Sequence, residues 1–147
     1  MQTKEEHYRS IILAVHRYAP NADMDLIERA YRYADSKHKD QLRKSGEPYI
    51  IHPLAVAEIV AEIGLDSDAI AAALLHDCTK KLDMDEQLAL CKKYHIPLDE
   101  LERKALKLLH SKTGAAIARD VFAVDDDVYN AIMYHTTGKP DMTLLEK

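Results

Sequence analysis

Residues 69–80 of this chain read AIAAALLHDCTK. The seven apolar residues at its start predict a helix that is buried on all sides, because a surface helix would carry polar residues on one face. The end of that helix then brings His76 and Asp77 to the edge of the core, with Lys80 three residues further along. A buried carboxylate needs a compensating partner. Imidazole and carboxylate side chains together suit a divalent transition metal, so this segment predicts a metal site.

Length and composition predict one all-α domain over residues 1–147. The chain has only four glycines and five prolines among many residues that favour helices. A net charge of -5 argues against a general nucleic-acid surface. The sequence shows no apolar stretch of membrane-spanning length and no signal peptide, which predicts a cytoplasmic protein without a membrane partner. Cys78 and Cys91 are too few for a disulfide framework.

Hydrophobic periodicity and capping residues indicate where the helices lie. Val56, Ile59, Val60 and Ile63 form a predicted inward stripe on the third helix, with His52 one turn earlier on that face. Asp83 and Glu86 predict a capping box. Gly138 to Pro140 predict a turn, and Thr143 a further helix. The predicted helices cover about residues 4–18, 23–41, 52–63, 67–77, 83–94, 98–109, 113–122 and 126–135.

Three more histidines follow or precede apolar helical sequence, namely His52, His110 and His135. Any one of them alone is compatible with an ordinary core or surface residue. Together with His76 and Asp77 they would make a site for one or two metal ions. The other histidines stand among charged or irregular sequence and are predicted to be exposed: His7, His16, His38 and His95.

Several polar residues have both an ordinary and a functional interpretation. Lys80 is either a solvated lysine or a point charge for a phosphate. The loop at Arg43, Lys44 and Ser45 is either a solvated turn or a substrate contact, in which the arginine stacks on a base and the lysine meets phosphate. Thr136, Thr137 and Gly138 are either a helix end or a group that holds substrate.

The stretches RKSGEPYIIHPLAVA at residues 43–57 and AAALLHD at residues 71–77 are specific. From residue 26 to residue 77 the chain resembles the hydrolase domain of the RelA/SpoT alarmone enzymes, a branch of the HD superfamily of metal-dependent phosphohydrolases. This resemblance implies an all-α HD-domain helical bundle. It also implies removal of pyrophosphate from guanosine tetraphosphate.

A second resemblance begins at the same histidine. The carrying segments are HDCTK at residues 76–80, LLH at 108–110 and YHTTGKP at 134–140. From residue 76 to residue 147 the chain resembles the YqeK family of symmetrical diadenosine tetraphosphate hydrolases. That family implies cleavage of diadenosine tetraphosphate to two ADP, with iron or alternatively manganese as the metal. The implied ligands are His52, His76, Asp77, His110 and His135, with Lys80 and Asp77 as catalytic residues.

The two resemblances suggest a chimera of a RelA/SpoT-like half, residues 1–77, and a YqeK-like half, residues 78–147. RelA/SpoT hydrolases carry a Glu-Asp pair where this chain has Lys80 and Lys81, which would remove their water activation. The YqeK pattern also includes an aspartate ligand beyond Lys147, where this sequence ends. Its absence would weaken metal binding and favour a homodimer.

The sequence therefore predicts a metal-dependent nucleotide phosphohydrolase acting on diadenosine tetraphosphate. Two alternatives stay open. One is a folded chimeric scaffold that binds metal or nucleotide without turnover, which the missing aspartate would explain. The other is a guanosine tetraphosphate pyrophosphohydrolase, which Arg43, Lys44 and Ser45 favour and Lys80 and Lys81 oppose.

Overall fold

The computed structural model describes residues 2–135, without the side chains of residues 106–108. Within that part the chain is all-α, as predicted, and has eight helices. They are α1 (Lys4–Tyr18), α2 (Met24–Lys37), α3 (Ile51–Ile63), α4 (Ser67–Leu75), α5 (Met84–Lys93), α6 (Glu100–Lys104), α7 (Leu106–Phe122) and α8 (Asp126–Met133). None of the described helices is long and apolar enough to cross a membrane. The turn predicted at Gly138 and the helix predicted at Thr143 lie outside the described residues.

The chain divides into two compact units, residues 1–75 with α1 to α4 and residues 76–147 with α5 to α8. In the first unit α3 packs against α1 and α4, and α2 packs against α4. Every residue of α4 from Ala69 to Leu75 is buried, which confirms the prediction of a helix surrounded by protein. The apolar run thus forms the centre of the first unit.

Local sequence explains where α1 begins. Thr3 accepts a hydrogen bond from the backbone amide of Glu6, and the Glu6 carboxylate accepts one from the amide of Thr3. This reciprocal pair satisfies two amides that the first helical turn leaves without partners. The helix has the predicted bounds. By contrast, α2 ends at Lys37 rather than near Gln41.

The face that α3 buries is not the predicted one. Ile59 and Ile63 are 57% and 68% exposed, whereas Leu54, Ala57 and Ala61 are buried. Apolar residues lie all around this helix, so periodicity could not select a face, and packing against α1 and α4 selected the smaller side chains. His52, expected to point inward with that stripe, is half-buried.

Two histidines predicted to be exposed are covered in the first unit. His38 is 3% exposed, and its ring packs at a centroid distance of 4.7 Å and a tilt of 37° against Tyr49. Its Nδ1 lies 3.0 Å from Oε1 of Gln41. The Nδ1 of His7 lies 2.6 Å from the carboxylate of Glu58, which joins α1 to α3. Tyr49 and Glu58 are far from these histidines in sequence, so the charged sequence neighbours could not predict the contacts.

In the second unit, α7 packs against α5, α6 and α8. The capping box predicted at Asp83 and Glu86 is present at the start of α5. The predicted break between residues 109 and 113 is wrong, because α7 runs continuously through them and the chain breaks earlier, at Ala105. The Thr113 hydroxyl donates to the Oε1 of Gln87 at 2.6 Å, so this polar side chain is satisfied inside α7.

Candidate metal centre

Asp77 is the central residue of the candidate site. It lies in a turn of the second unit that a hydrogen bond of 3.0 Å from the Lys80 amide to the Asp77 carbonyl closes. The Asp77 side chain is only 3% exposed. Since an ionised carboxylate is costly to bury alone, its neighbours must supply positive charge or hydrogen bonds.

Three imidazole rings surround this carboxylate. The Nε2 atoms of His76, His110 and His135 lie 3.3, 3.2 and 3.4 Å from the carboxylate oxygens of Asp77. The Nε2 atoms of His110 and His135 are themselves 3.2 Å apart. The second unit therefore brings four of the predicted metal ligands into one cluster.

Each histidine reaches the cluster from a different part of the second unit. His76 directly precedes Asp77, His110 lies in the N-terminal part of α7, and His135 follows the last turn of α8. His110 was expected at the end of a helix, and it lies inside one instead. The hairpin of α7 and α8 thus supplies two imidazoles from residues 25 positions apart.

The orientation of His135 leaves one ring nitrogen available for a ligand. Its Nδ1 lies 2.5 Å from the carbonyl oxygen of Ile132. A carbonyl only accepts hydrogen bonds, so Nδ1 carries the proton and the Nε2 of the neutral ring keeps its lone pair. This backbone contact fixes the ring in the tautomer that a metal ligand requires.

The spacing of these atoms fits a single metal ion. Two ligand atoms at about 2.1 Å from one ion, with angles from octahedral to tetrahedral, lie about 3.0–3.4 Å apart. One Asp77 oxygen and the Nε2 atoms of His110 and His135 form a triangle with edges of 3.2, 3.4 and 3.2 Å. Nitrogen and carboxylate ligands in this number suit iron, manganese or zinc better than calcium or magnesium.

Lys80 lies at the exposed side of the cluster. Its Nζ atom is 3.8 Å from an Asp77 carboxylate oxygen, and its side chain is 46% exposed. The ammonium group can therefore contribute positive charge beside the cluster while its long chain stays in solvent. This position is compatible with the predicted contact to a phosphate.

Thr79, Gln87 and Thr113 form a polar cluster beside the ligands that sequence reasoning missed. All three are at most 2% exposed and are hydrogen-bonded to one another and to the backbone of His110. One signal was available for Gln87, since it lies four residues before the buried Cys91 on the inner side of α5. Thr113 was missed because it was predicted to start a helix after a break at residues 110–112.

The remaining predicted site residues belong to the first unit or lie outside the described residues. His52 is in the first turn of α3 in the first unit. Arg43, Lys44 and Ser45 form an exposed turn of that unit, in which Gly46 has a positive φ of 92° and the Arg43 guanidinium donates to Glu47 at 3.1 Å. The sequence assigned substrate contacts to Thr136, Thr137 and Gly138, which lie outside the described residues.

Comparison with known proteins finds one family model that matches part of this sequence. The sequence matches the model of the HD domain over residues 30–95, a range that includes His52, His76 and Asp77. Over this segment the chain is similar to the HD domain. The match crosses residue 77, where the sequence analysis predicts a change from one resemblance to the other.

Curated relatives of the HD domain are RelA/SpoT proteins. The bifunctional (p)ppGpp synthase/hydrolase RelA of Mycobacterium tuberculosis is 57% identical over 67 residues, which are 45% of this chain and 9% of that protein. A guanosine-3′,5′-bis(diphosphate) 3′-pyrophosphohydrolase of Aquifex aeolicus is 58% identical over 57 residues, or 39% of this chain and 8% of that protein. The matched segment thus spans less than a tenth of each relative, and the resemblance to RelA/SpoT is confirmed.

A solved structure resembles the HD domain and its surroundings. It is described as a "predicted HD superfamily hydrolase involved in NAD metabolism" from Clostridium acetobutylicum. The TM-score is 0.66 at 29% sequence identity, and the alignment covers 81% of this chain and 62% of that one. An alignment of that extent includes residues on both sides of residue 77. The resemblance to the YqeK family and the division at residues 77 and 78 stay predictions.

Proposed function

We propose that this protein is a metal-dependent phosphohydrolase that acts on a small nucleotide. The observation that carries the proposal is the triangle of ligand atoms from Asp77, His110 and His135, with His76 beside it. Three imidazoles around a buried carboxylate have no role in ordinary packing, because an apolar cluster would hold these helices without desolvating a charge.

The residues divide into those that hold the ion and those that meet the substrate. Asp77 and the three histidines hold the cation, and His52 is proposed as a further ligand from its place in the matched domain. When bound, such an ion supplies Lewis acidity toward a phosphoryl oxygen and activates an attacking water. Lys80 offsets the negative charge that develops on the phosphate, since its ammonium group already lies beside the carboxylate.

The comparisons favour guanosine tetraphosphate as the substrate over diadenosine tetraphosphate. Both curated relatives described above are named for (p)ppGpp chemistry, and the HD-domain match includes the Arg43, Lys44 and Ser45 turn. In this proposal the arginine stacks on the guanine and the lysine meets a phosphate. The products are GDP and pyrophosphate.

One observation keeps diadenosine tetraphosphate as a second candidate. Lys80 places a cation 3.8 Å from Asp77, at a position where the RelA/SpoT resemblance implies a carboxylate. A cation there opposes the water activation of that family and favours contact with a polyphosphate. Cleavage of diadenosine tetraphosphate would give two ADP.

Several narrower predictions belong with this proposal. Iron is the proposed metal and manganese the alternative, with one or two ions bound. A cytoplasmic location and a homodimer are further proposals from the sequence. A chimeric scaffold that binds metal or nucleotide without turnover is the competing hypothesis, and product analysis distinguishes it from an enzyme.

The test is product chromatography after anaerobic incubation of the protein with iron(II), or with manganese(II), and each nucleotide separately. Formation of GDP and pyrophosphate, or of two ADP, that a chelator abolishes would support the enzyme and identify its substrate. A well-folded protein that binds metal and cleaves neither nucleotide would reject the enzyme in favour of the scaffold.

A charge-reversal variant tests whether the charges at residues 80 and 81 decide between the two nucleotide substrates. Lys80→Glu combined with Lys81→Asp restores the two carboxylates implied by the RelA/SpoT resemblance, and we expect it to favour guanosine tetraphosphate. The matched control is Lys92→Glu with Lys93→Asp, which makes the same change of charge at two exposed lysines of α5. Equal effects of the two double variants would mean that only the overall charge matters.

A further inference from the structure

A closed ring of hydrogen bonds lies beneath the ligand cluster. The Nε2 of Gln87 donates to the carbonyl of Thr79 at 2.6 Å, and the hydroxyl of Thr113 donates to the Oε1 of Gln87 at 2.6 Å. The hydroxyls of Thr79 and Thr113 are 2.8 Å apart, and that of Thr79 also lies 2.9 Å from the carbonyl of His110. Gln87 and Thr113 are fully buried.

The donors and acceptors of this ring fit only one consistent arrangement around Gln87. Each hydroxyl has one proton, and the amide oxygen of Gln87 can only accept. The proton of Thr113 therefore goes to Gln87, and its oxygen lone pairs face Thr79. Thr79 then donates to the carbonyl of His110 or to the oxygen of Thr113, so every polar group in the ring has a partner.

The ring connects the segments that carry the ligands. Thr79 lies two residues after Asp77 in the same turn, and Thr113 lies three residues after His110 in α7. The bond from Thr79 to the His110 carbonyl joins these two segments directly. Gln87 adds α5 as a third point of attachment.

A polar ring is an expensive way to hold three segments together. Apolar side chains of the same volume would pack there without losing hydration. Hydrogen bonds, however, have preferred lengths and directions, so a fully satisfied ring selects one register where apolar contacts would tolerate several. The ligand cluster needs that selectivity, because its atoms must lie about 3.0–3.4 Å apart to share one ion.

We propose that Thr79, Gln87 and Thr113 are positioning residues for the metal site. They fix the turn of Asp77 against α7, so that the Asp77 carboxylate and the His110 ring lie at ligand spacing before a metal arrives. This inference depends on the proposed function only in that the cluster binds a metal. It makes metal affinity, rather than stability alone, sensitive to buried hydroxyls that touch neither metal nor substrate.

The test compares three substitutions on α7 by calorimetric titration of the metal-free protein with cobalt(II). Thr113→Val keeps the shape and removes the hydroxyl, and we expect its affinity to fall by about 10-fold or more, as for other groups that orient metal ligands. Thr113→Ser keeps the hydroxyl and should restore most of the affinity. Phe122→Leu loosens the buried other end of α7 and is the stability control. Urea unfolding of all three shows whether their losses of stability are comparable.

A second measurement needs no metal. NMR chemical shifts of the imidazole ring nitrogens report the tautomers of His110 and His135, whose Nε2 atoms lie 3.2 Å apart. We expect Thr113→Val to change these signals and Phe122→Leu to leave them in place. Unchanged ring signals, or equal cobalt affinity of the Val variant and the wild type, would overturn the positioning role. Failure of the wild type to bind cobalt would instead reject the metal-dependent function, and the ring signals would still decide the positioning role.

Discussion

The two units of the chain bury different kinds of side chain. In residues 2–75, His38 is the only polar or charged side chain among the described buried residues, and the rest of the core is apolar. In residues 76–135, the buried set includes Asp77, Thr79, Gln87, His110, Ser111 and Thr113. Buried polar groups cost free energy unless they are satisfied. Their concentration in the second unit therefore indicates a functional site, at which a protein accepts a loss of stability.

This difference gives a simple expectation for mutations. Substitutions in the first core should change the free energy of unfolding, because they remove apolar contacts. Substitutions at the polar cluster of the second unit should change metal affinity and turnover more than stability. Each of the following predictions tests whether effects on the free energy of unfolding and effects on metal affinity are separate.

The largest effect is expected for Asp77→Ala. Groups that only orient metal ligands cost 10–100-fold in affinity when mutated, so removal of a ligand should cost more than about 100-fold and abolish chelator-sensitive turnover. Metal content and product formation are the measurements. Asp85→Ala removes an exposed carboxylate of α5 and is the matched control. Unchanged metal content and turnover in Asp77→Ala would reject the candidate site.

Ile27→Ala should lower the free energy of unfolding and leave metal affinity unchanged. Ile27 is fully buried on α2 in the first unit, and truncation of such a side chain lowers the free energy of unfolding by about 2–5 kcal/mol. Urea denaturation measures the loss, and cobalt(II) titration in the absence of urea measures the site. Ile27→Val, expected to cost about 0.5–1.5 kcal/mol, gives the graded control. A loss of metal affinity in proportion to lost stability would contradict the separation of the two roles.

The smallest expected effect is a change in the free energy of unfolding at alkaline pH, caused by Tyr94. Burial, reinforced by the hydrogen bond that the Tyr94 hydroxyl donates to Asp120, raises the pKa of Tyr94 to about 12. The folded state therefore keeps this proton longer than the unfolded chain, whose tyrosine pKa is about 10. The stabilisation is complete below about pH 10 and is lost as the pH rises through about 12.

Tyr94→Phe should remove that part of the pH dependence. The measurement is urea unfolding at about pH 9 and about pH 11.5, with the difference compared between variant and wild type. Burial also raises the pKa of Tyr18 in the first unit, so Tyr18→Phe is the matched substitution. The Tyr18 hydroxyl donates to the Leu65 carbonyl at 2.6 Å, so an equal effect of both substitutions would show that the charge of Asp120 adds nothing beyond burial and an uncharged acceptor.

Local signals predicted much of the fold. The bounds of α1, the burial of α4 and the capping box of α5 all follow from patterns within about fifteen residues. Strong local signals of this kind depend on backbone hydrogen bonding at helix ends and on long apolar runs, which neighbours in space rarely override. The presence of His76, Asp77, His110 and His135 in one cluster was also predicted, with the help of the family resemblance.

Other features had no local signal or a misleading one. The sequence predicted a break at residues 110–112, but α7 is continuous there and Thr113 donates to Gln87 from another helix. The charged neighbours of His38 suggested exposure, but Tyr49 covers it. In both cases the decisive partner is distant in sequence or lies on another element.

Local sequence patterns therefore determined the bounds of α1, the burial of α4 and which side chains can bind a metal. Tertiary structure decided the face that α3 buries and the continuity of α7 through Thr113. It also decided the spacing of 3.2–3.4 Å among Asp77, His110 and His135. The physical reason is that helix formation depends on neighbours along the chain, whereas burial and ligand spacing depend on contacts between side chains that the sequence places far apart.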